Sequence, residues 1–116
     1  MDDMTYVDGF VAAVPTARRD DYRRHAADAA KVFREHGALG LGARWGDGTL
    51  TSFPMAVKRQ PDETVVFAWI AWPSKAVRDV GMAKVMADPR MNPESNPMPF
   101  DGQRMIFGGF SVLLQA

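Results

Sequence analysis

The chain has 116 residues, the length of one domain. Its residues are 47% apolar and 24% charged, enough to build a core, and 14 basic side chains balance 14 acidic ones. That balance lacks the concentrated positive face that nucleic acid demands, and the absence of cysteine excludes disulfides, thiolate catalysis and cysteine metal sites.

The opening "MDDMTYVDGF" places two acids ahead of any apolar run, unlike a secretory signal. The apolar runs are far shorter than a membrane span. The expectation is one cytoplasmic domain over residues 1–116, with neither a membrane nor nucleic acid as partner.

"MTYVDGFVAAVP" clusters Tyr, Val and Phe and reads as a strand that Pro15 ends. Both of its faces are mostly apolar, so it belongs inside a sheet. A helix over "ARRDDYRRHAADAAKVFREH" follows, with Thr16 as the expected N-cap and Gly37 as the stop. Tyr22, Ala26, Ala29, Ala30 and Phe33 share its apolar face, and Arg24, Asp28, Lys31 and Glu35 its polar one.

"ALGLGARW" predicts a second strand with Leu39, Leu41, Ala43 and Trp45 on one side, and Gly46–Gly48 a turn. "LTSFPMAVKR", residues 50–59, reads as a further extended piece, at an edge or a bulge because of Pro54. "TVVFAWIAW" carries the strongest strand signal of the chain. Pro73 closes that strand, and Ser74 is placed to cap a second helix, "KAVRDVGMAKVMAD". The expected buried stripe there is Ala76, Val77, Val80, Ala83 and Ala87, with Met82, Val85 and Met86 lying away from it. "PRMNPESNPMP" is a long connection, and "QRMIFGGFSVLL" a last strand with Ile106, Gly108 and Phe110 on one face.

The order strand, helix, strand, strand, helix, strand is that of an α+β, ferredoxin-like domain. It comprises an antiparallel sheet with two helices on one face. One of Phe10 or Val11, one of Phe67 or Ile70, and one of Phe107 or Phe110 must then lie on the uncovered face. An apolar face of that size calls for cover. The expected partner is a second copy, giving a homodimer packed sheet to sheet as a barrel.

Chemistry is sparsely marked. His25 and His36 are the only histidines, and their separation is no metal-binding spacing. No metal or other cofactor is expected. His25 is a candidate base or packing residue at the edge of the first helix, and His36 suits a helix C-terminus. Asp8 interrupts an apolar strand and must pair with a cation, on another strand such as Arg104, or face a ligand. Trp45, Trp69 and Trp72 line either a cavity or the core. Asp101–Gly102 reads as a turn, with Gly102 free to take positive φ, or as a loop that presents binding groups. Gly108–Gly109 lacks the spacing of a phosphate loop, and there is no G-x-S-x-G or H-E-x-x-H.

"YVDGFVAAVPTARRDDYRRHA", "DETVVFAWIAWPSKAVRD" and "MADPRM…MPFDGQRMIFGGF" resemble the bacterial YbaA-like family of uncharacterised small proteins, over nearly the whole chain. The resemblance implies the dimeric α+β barrel built on a ferredoxin-like unit. That architecture also serves cofactor-independent monooxygenases, haem-degrading enzymes, isomerases and ligand-binding domains, an analogy of fold alone. Members carry a Glu-Cys-Trp run where this chain has Ala43, Arg44 and Trp45, so activity resting on that carboxylate and thiol is not expected here. Asp8, His25, Trp45, Trp69, Asp101 and Arg104 are the candidate pocket or pairing residues. The expected function is binding of a small apolar or aromatic metabolite by a homodimer. The alternative is a monooxygenase-like or isomerase-like enzyme without a cofactor, in which His25 or Asp8 serves as the base.

Overall fold

The computed structural model describes residues 5–46 and 52–116. Four strands form one antiparallel sheet: β1 (Tyr6–Pro15), β2 (Gly40–Gly46), β3 (Glu63–Trp72) and β4 (Ile106–Ser111), in the order β2-β3-β1-β4. Helices α1 (Arg19–Glu35) and α3 (Lys75–Ala87) are the two long connections, and a short α2 (Ser52–Ala56) lies between β2 and β3. This is the expected ferredoxin-like α+β arrangement, with β1 central and β4 at an edge.

Register assigns each residue to a face. Phe10 sits opposite Ala68 on β3 and Phe107 on β4, and Val11 opposite Phe67 and Ile106. On the helix side, Tyr6, Ile70 and Trp72 pack with Ala29, Val32 and Phe33 of α1 and Val85 of α3. Val11, Phe67 and Phe110 therefore occupy the second face, and Phe10, Ile70 and Phe107 the helix face. Side chains alternate strictly along a strand, so one secure contact fixes all the others.

The second face is partly covered, by an element the sequence reading mistook. Residues 52–56 of the expected extended piece are helical, and Val57, fully buried just after them, packs with Val11, Ala13 and Val65. Pro54 opposes a strand here but is tolerated in the first turn of a helix. Arg59 N–H donates to the Pro54 carbonyl and Lys58 N–H to that of Met55, ending α2 with Lys58 at φ 51°. Residues 50 and 51, and Asp47 and Gly48 of the expected turn, lie outside the described residues.

The other local signals behave unevenly. Gly37 leaves α1 at φ 112°, where a side chain would be strained. Ser74 Oγ accepts from Val77 N–H at 3.1 Å and caps α3 as expected. Thr16 does not cap α1: a 3-10 turn, Thr16–Arg18, intervenes, and the Thr16 hydroxyl shares a 2.6 Å hydrogen bond with that of Thr64. The buried side of α3 is also corrected. Gly81 and Val85 are buried and Met82 packs against the core, whereas Val77, Val80 and Met86 are exposed. Close approach marks this side: a Cβ on Gly81 would collide with the His36 carbonyl and with the Trp72 ring, so only glycine lets α3 approach there.

Candidate functional site

The buried polar residues Asp8, Glu63 and Asn96 show which polar groups serve the fold and which face open space. A polar group removed from water must find partners, so the partners reveal the role.

Asp8 projects from β1 toward α3. Its Oδ2 accepts from Trp72 Nε1 at 2.9 Å and Arg78 Nε at 3.1 Å; its Oδ1 accepts from Arg78 Nη2 at 2.9 Å and Nε at 3.2 Å. The carboxylate is 4% exposed, and Arg78 also lies 5.7 Å above the Tyr6 ring. The cation paired with Asp8 is thus Arg78, on a helix, and not Arg104 on a strand. With its oxygens engaged, Asp8 ties α3 to the sheet and has no capacity left to act as a base.

Glu63 opens β3 and receives a two-pronged contact from Arg104, at 2.7 Å from Nη1 and 2.6 Å from Nη2. Arg104 also donates to the Lys58 carbonyl at 2.8 Å and to Asp101 Oδ2 at 3.0 Å. The guanidinium holds the Glu63 carboxyl below its ordinary range. Asp101 is lowered as well, first by the Gln103 backbone N–H and then by Arg104. Arg104 precedes β4 rather than opening it, and Gly102 is not in the left-handed region. Asp101-Gly102-Gln103-Arg104 is therefore a turn whose arginine clamps the approach to β4 onto the segment after α2.

Between α1 and the sheet lies an open cavity of about 380 Å³. Its cause is visible in the residues. Ala26, Ala29 and Ala30 on α1 face Ala12, Ala43 and Ala68 on the strands, and six methyl groups do not fill a helix–sheet gap. Further along, Phe33 against Trp72 and Ile70 closes the same layer tightly. Phe10, Leu41, Phe100 and the methionines Met86, Met91, Met98 and Met105 complete the wall. Tyr22 and His25 are the titratable side chains of the lining, and burial raises the Tyr22 phenol above its usual value, keeping it protonated.

His25 is held from several directions. Its Nδ1 lies 2.9 Å from Asn96 Oδ1, and Asn96 Nδ2 donates back to the His25 carbonyl at 3.2 Å. Phe100 meets the ring edge-on at 6.2 Å between centroids, and Tyr22 stands 6.2 Å away on its own helix. Among the candidates from sequence, His25 lines the cavity; Trp69 borders it from β3, but its ring lies on the second sheet face, over Gly42 and beside Phe67. Trp45 packs partly buried beside Ala12, Val14 and Val66, and Trp72 is fully buried in the core. Asp8, Asp101 and Arg104 lie in the two clamps. Asn96, Phe100, Met91, Met98 and Met105 were missed, because they come from the Pro- and Asn-rich connection and its end, with no periodicity to announce them; Met86, on α3, was read only as lying off the buried stripe. The "SNPMPF" run, with an amide, a methionine and a ring in close succession, was the available signal.

Known proteins share this architecture at two levels of likeness. The Agrobacterium tumefaciens NIPSNAP family protein of unknown function superposes with a TM-score of 0.60 at 14% identity, covering 97% of this chain and 91% of that one. A Streptomyces coelicolor monooxygenase from the gene ActVA-Orf6, solved with the ligand nanaomycin D, gives 0.55 at 18% identity, covering 98% and 95%. At such identities the likeness is one of fold. The Escherichia coli (strain K12) uncharacterized protein YbaA is 52% identical over 115 residues, covering 96% of this chain and 98% of its own. Residues 5–102 match the model of a family described as protein of unknown function DUF1428, and the chain belongs to that YbaA-containing family.

Proposed function

We propose that the protein binds a small, largely apolar, ring-bearing metabolite in the cavity between α1 and the sheet. The observation that carries this reading is the wall itself. Its volume lies in the range of small-molecule sites, and its alanine, methionine and aromatic lining is broken by few polar groups. Methionine side chains adapt to varied ring shapes without large strain. The test is titration with 1-naphthol, followed through methyl NMR shifts of the alanines and methionines. Saturable shifts confined to the cavity are expected, and their loss in a folded Ala68→Phe variant, which fills the space. Absence of saturable shifts at millimolar probe would overturn the reading.

A second reading, a cofactor-independent oxygenase-like or isomerase-like enzyme, is supported by the fold shared with the Streptomyces monooxygenase and by the imidazole in the wall. In that reading His25 is the base, since Asp8 is fully engaged. Oxygen uptake with a bound hydroxylated aromatic, abolished by His25→Ala, is its expected signature.

The homodimer belongs to the same proposal. Phe67, Ile106 and Phe110 are exposed on the second sheet face. Phe110 lies against Gly9 and Gly108, and Trp69 lies so close over Gly42 that a Cβ there would collide with its ring. Rings laid on glycine give a low apolar surface, suited to a second copy of the same sheet.

A further inference from the structure

We infer that Asn96 is a positioning residue that fixes the imidazole of His25 as a hydrogen-bond acceptor in the cavity, and so selects ligands whose polar end is an O–H or N–H donor. This rests on the cavity being the ligand site. The inference begins with the Asn96 amide, which is 8% exposed and held between two groups of the same histidine. One of them, the His25 backbone carbonyl, can only accept a hydrogen bond, so the NH₂ of Asn96 must face it, at 3.2 Å. The amide oxygen is then the atom turned toward His25 Nδ1, at 2.9 Å. An amide oxygen can only accept, so Nδ1 carries the proton. Whenever the imidazole is neutral, its lone pair is therefore on Nε2.

Nε2 has no hydrogen-bond partner among the described residues, and the ring lines the cavity, braced edge-on by Phe100. The backbone of Asn96 is itself anchored, its N–H donating to the Asn92 carbonyl at 2.8 Å. The amide is thus preorganised before any ligand arrives. A ligand hydroxyl meeting Nε2 completes a chain from ligand O–H to imidazole to amide. A ligand presenting only an ether or carbonyl there meets lone pair against lone pair. Discrimination between two such ligands of equal shape is worth about one hydrogen bond, roughly three- to tenfold in affinity.

The experiment pairs a tautomer measurement with two probes. Long-range proton–nitrogen NMR of the wild-type ring should show Nδ1–H and an unprotonated Nε2. In Asn96→Ala, with the fold checked by its amide spectrum, the proton should redistribute toward Nε2. Asn96→Asp, which keeps an acceptor oxygen at the same place, should restore Nδ1–H. In parallel, 1-naphthol should bind the wild type roughly three- to tenfold more tightly than 1-methoxynaphthalene, and Asn96→Ala should erase the difference. Equal affinity of the two probes for the wild type, or Nε2–H in the wild type, overturns the inference while leaving the cavity as an apolar site. Binding of neither probe overturns the ligand site and the ligand class with it, and the ring tautomer, read without ligand, still decides the role of Asn96.

Discussion

Replacing Arg78 with methionine tests whether the Asp8 clamp holds α3 on the sheet. The carboxylate of Asp8 is 4% exposed and receives side-chain hydrogen bonds from Arg78 and Trp72 alone among the described residues. Methionine keeps the packing of the arginine stem and removes every donor except Trp72 Nε1. A buried charge stripped of its partner typically costs about 3–5 kcal/mol. Arg78 is itself 26% exposed, so water can replace part of the guanidinium, and the low end, about 3 kcal/mol, applies. For a domain of this length, that lowers Tm by roughly 10–15 °C. Asp8→Asn retains the acceptor for Trp72 and frees Arg78 to turn to solvent, so about 1–2 kcal/mol is expected. The double variant should be less destabilised than the sum of the singles, because with the amide in place no charge is left stranded. Urea unfolding of the four proteins, followed by tryptophan fluorescence, supplies the cycle. Additive single effects, or an Arg78→Met variant within about 0.5 kcal/mol of the wild type, would refute an energetic clamp.

Glu63 predicts a pH dependence. Its folded carboxyl is lowered by Arg104, so its contribution is complete above the ordinary value of 4.5 and is lost as pH falls through the lower folded value. Glu63→Gln should therefore be less stable than the wild type at neutral pH, and the gap should narrow under acid titration of Tm; a constant gap would contradict the linkage. Lys58→Gly should stabilise the fold by about 1 kcal/mol, because the left-handed φ of 51° costs lysine but not glycine, and an unchanged urea midpoint would count against that. Phe110→Glu puts a charge on the exposed sheet face and should convert a dimer into a monomer in sedimentation equilibrium at micromolar concentration. A wild-type protein already monomeric there would remove the sheet-to-sheet pairing.

The order of long elements was legible because period is a local property. Apolar residues at helical spacing marked α1, and the unbroken run from Val65 to Trp72 marked β3. Gly37 and Ser74 acted as stop and start signals because a cap depends on its own turn and its nearest neighbours. The buried side of α3 was not legible, since apolar residues surround that helix and the His36 carbonyl, remote along the chain, together with the Trp72 ring makes Gly81 the point of approach. Residues 52–56 misled because five residues are too few to show a helical period, and it is Val57, just after them, that anchors the segment on Val11, Ala13 and Val65.

The sequence by itself determined the kind and order of the long elements, which face of α1 is apolar, and that Asp8 needed a cation or a ligand as partner. Only the tertiary structure decided which cation that is, that the alanines of α1 meet alanines on the strands and leave a void, and that an asparagine 71 residues away grips His25. The physical reason is distance along the chain. Period and capping are set by a few neighbouring residues, whereas a cavity and its polar contacts exist only where remote side chains are brought together, and their sizes and donors add up only there.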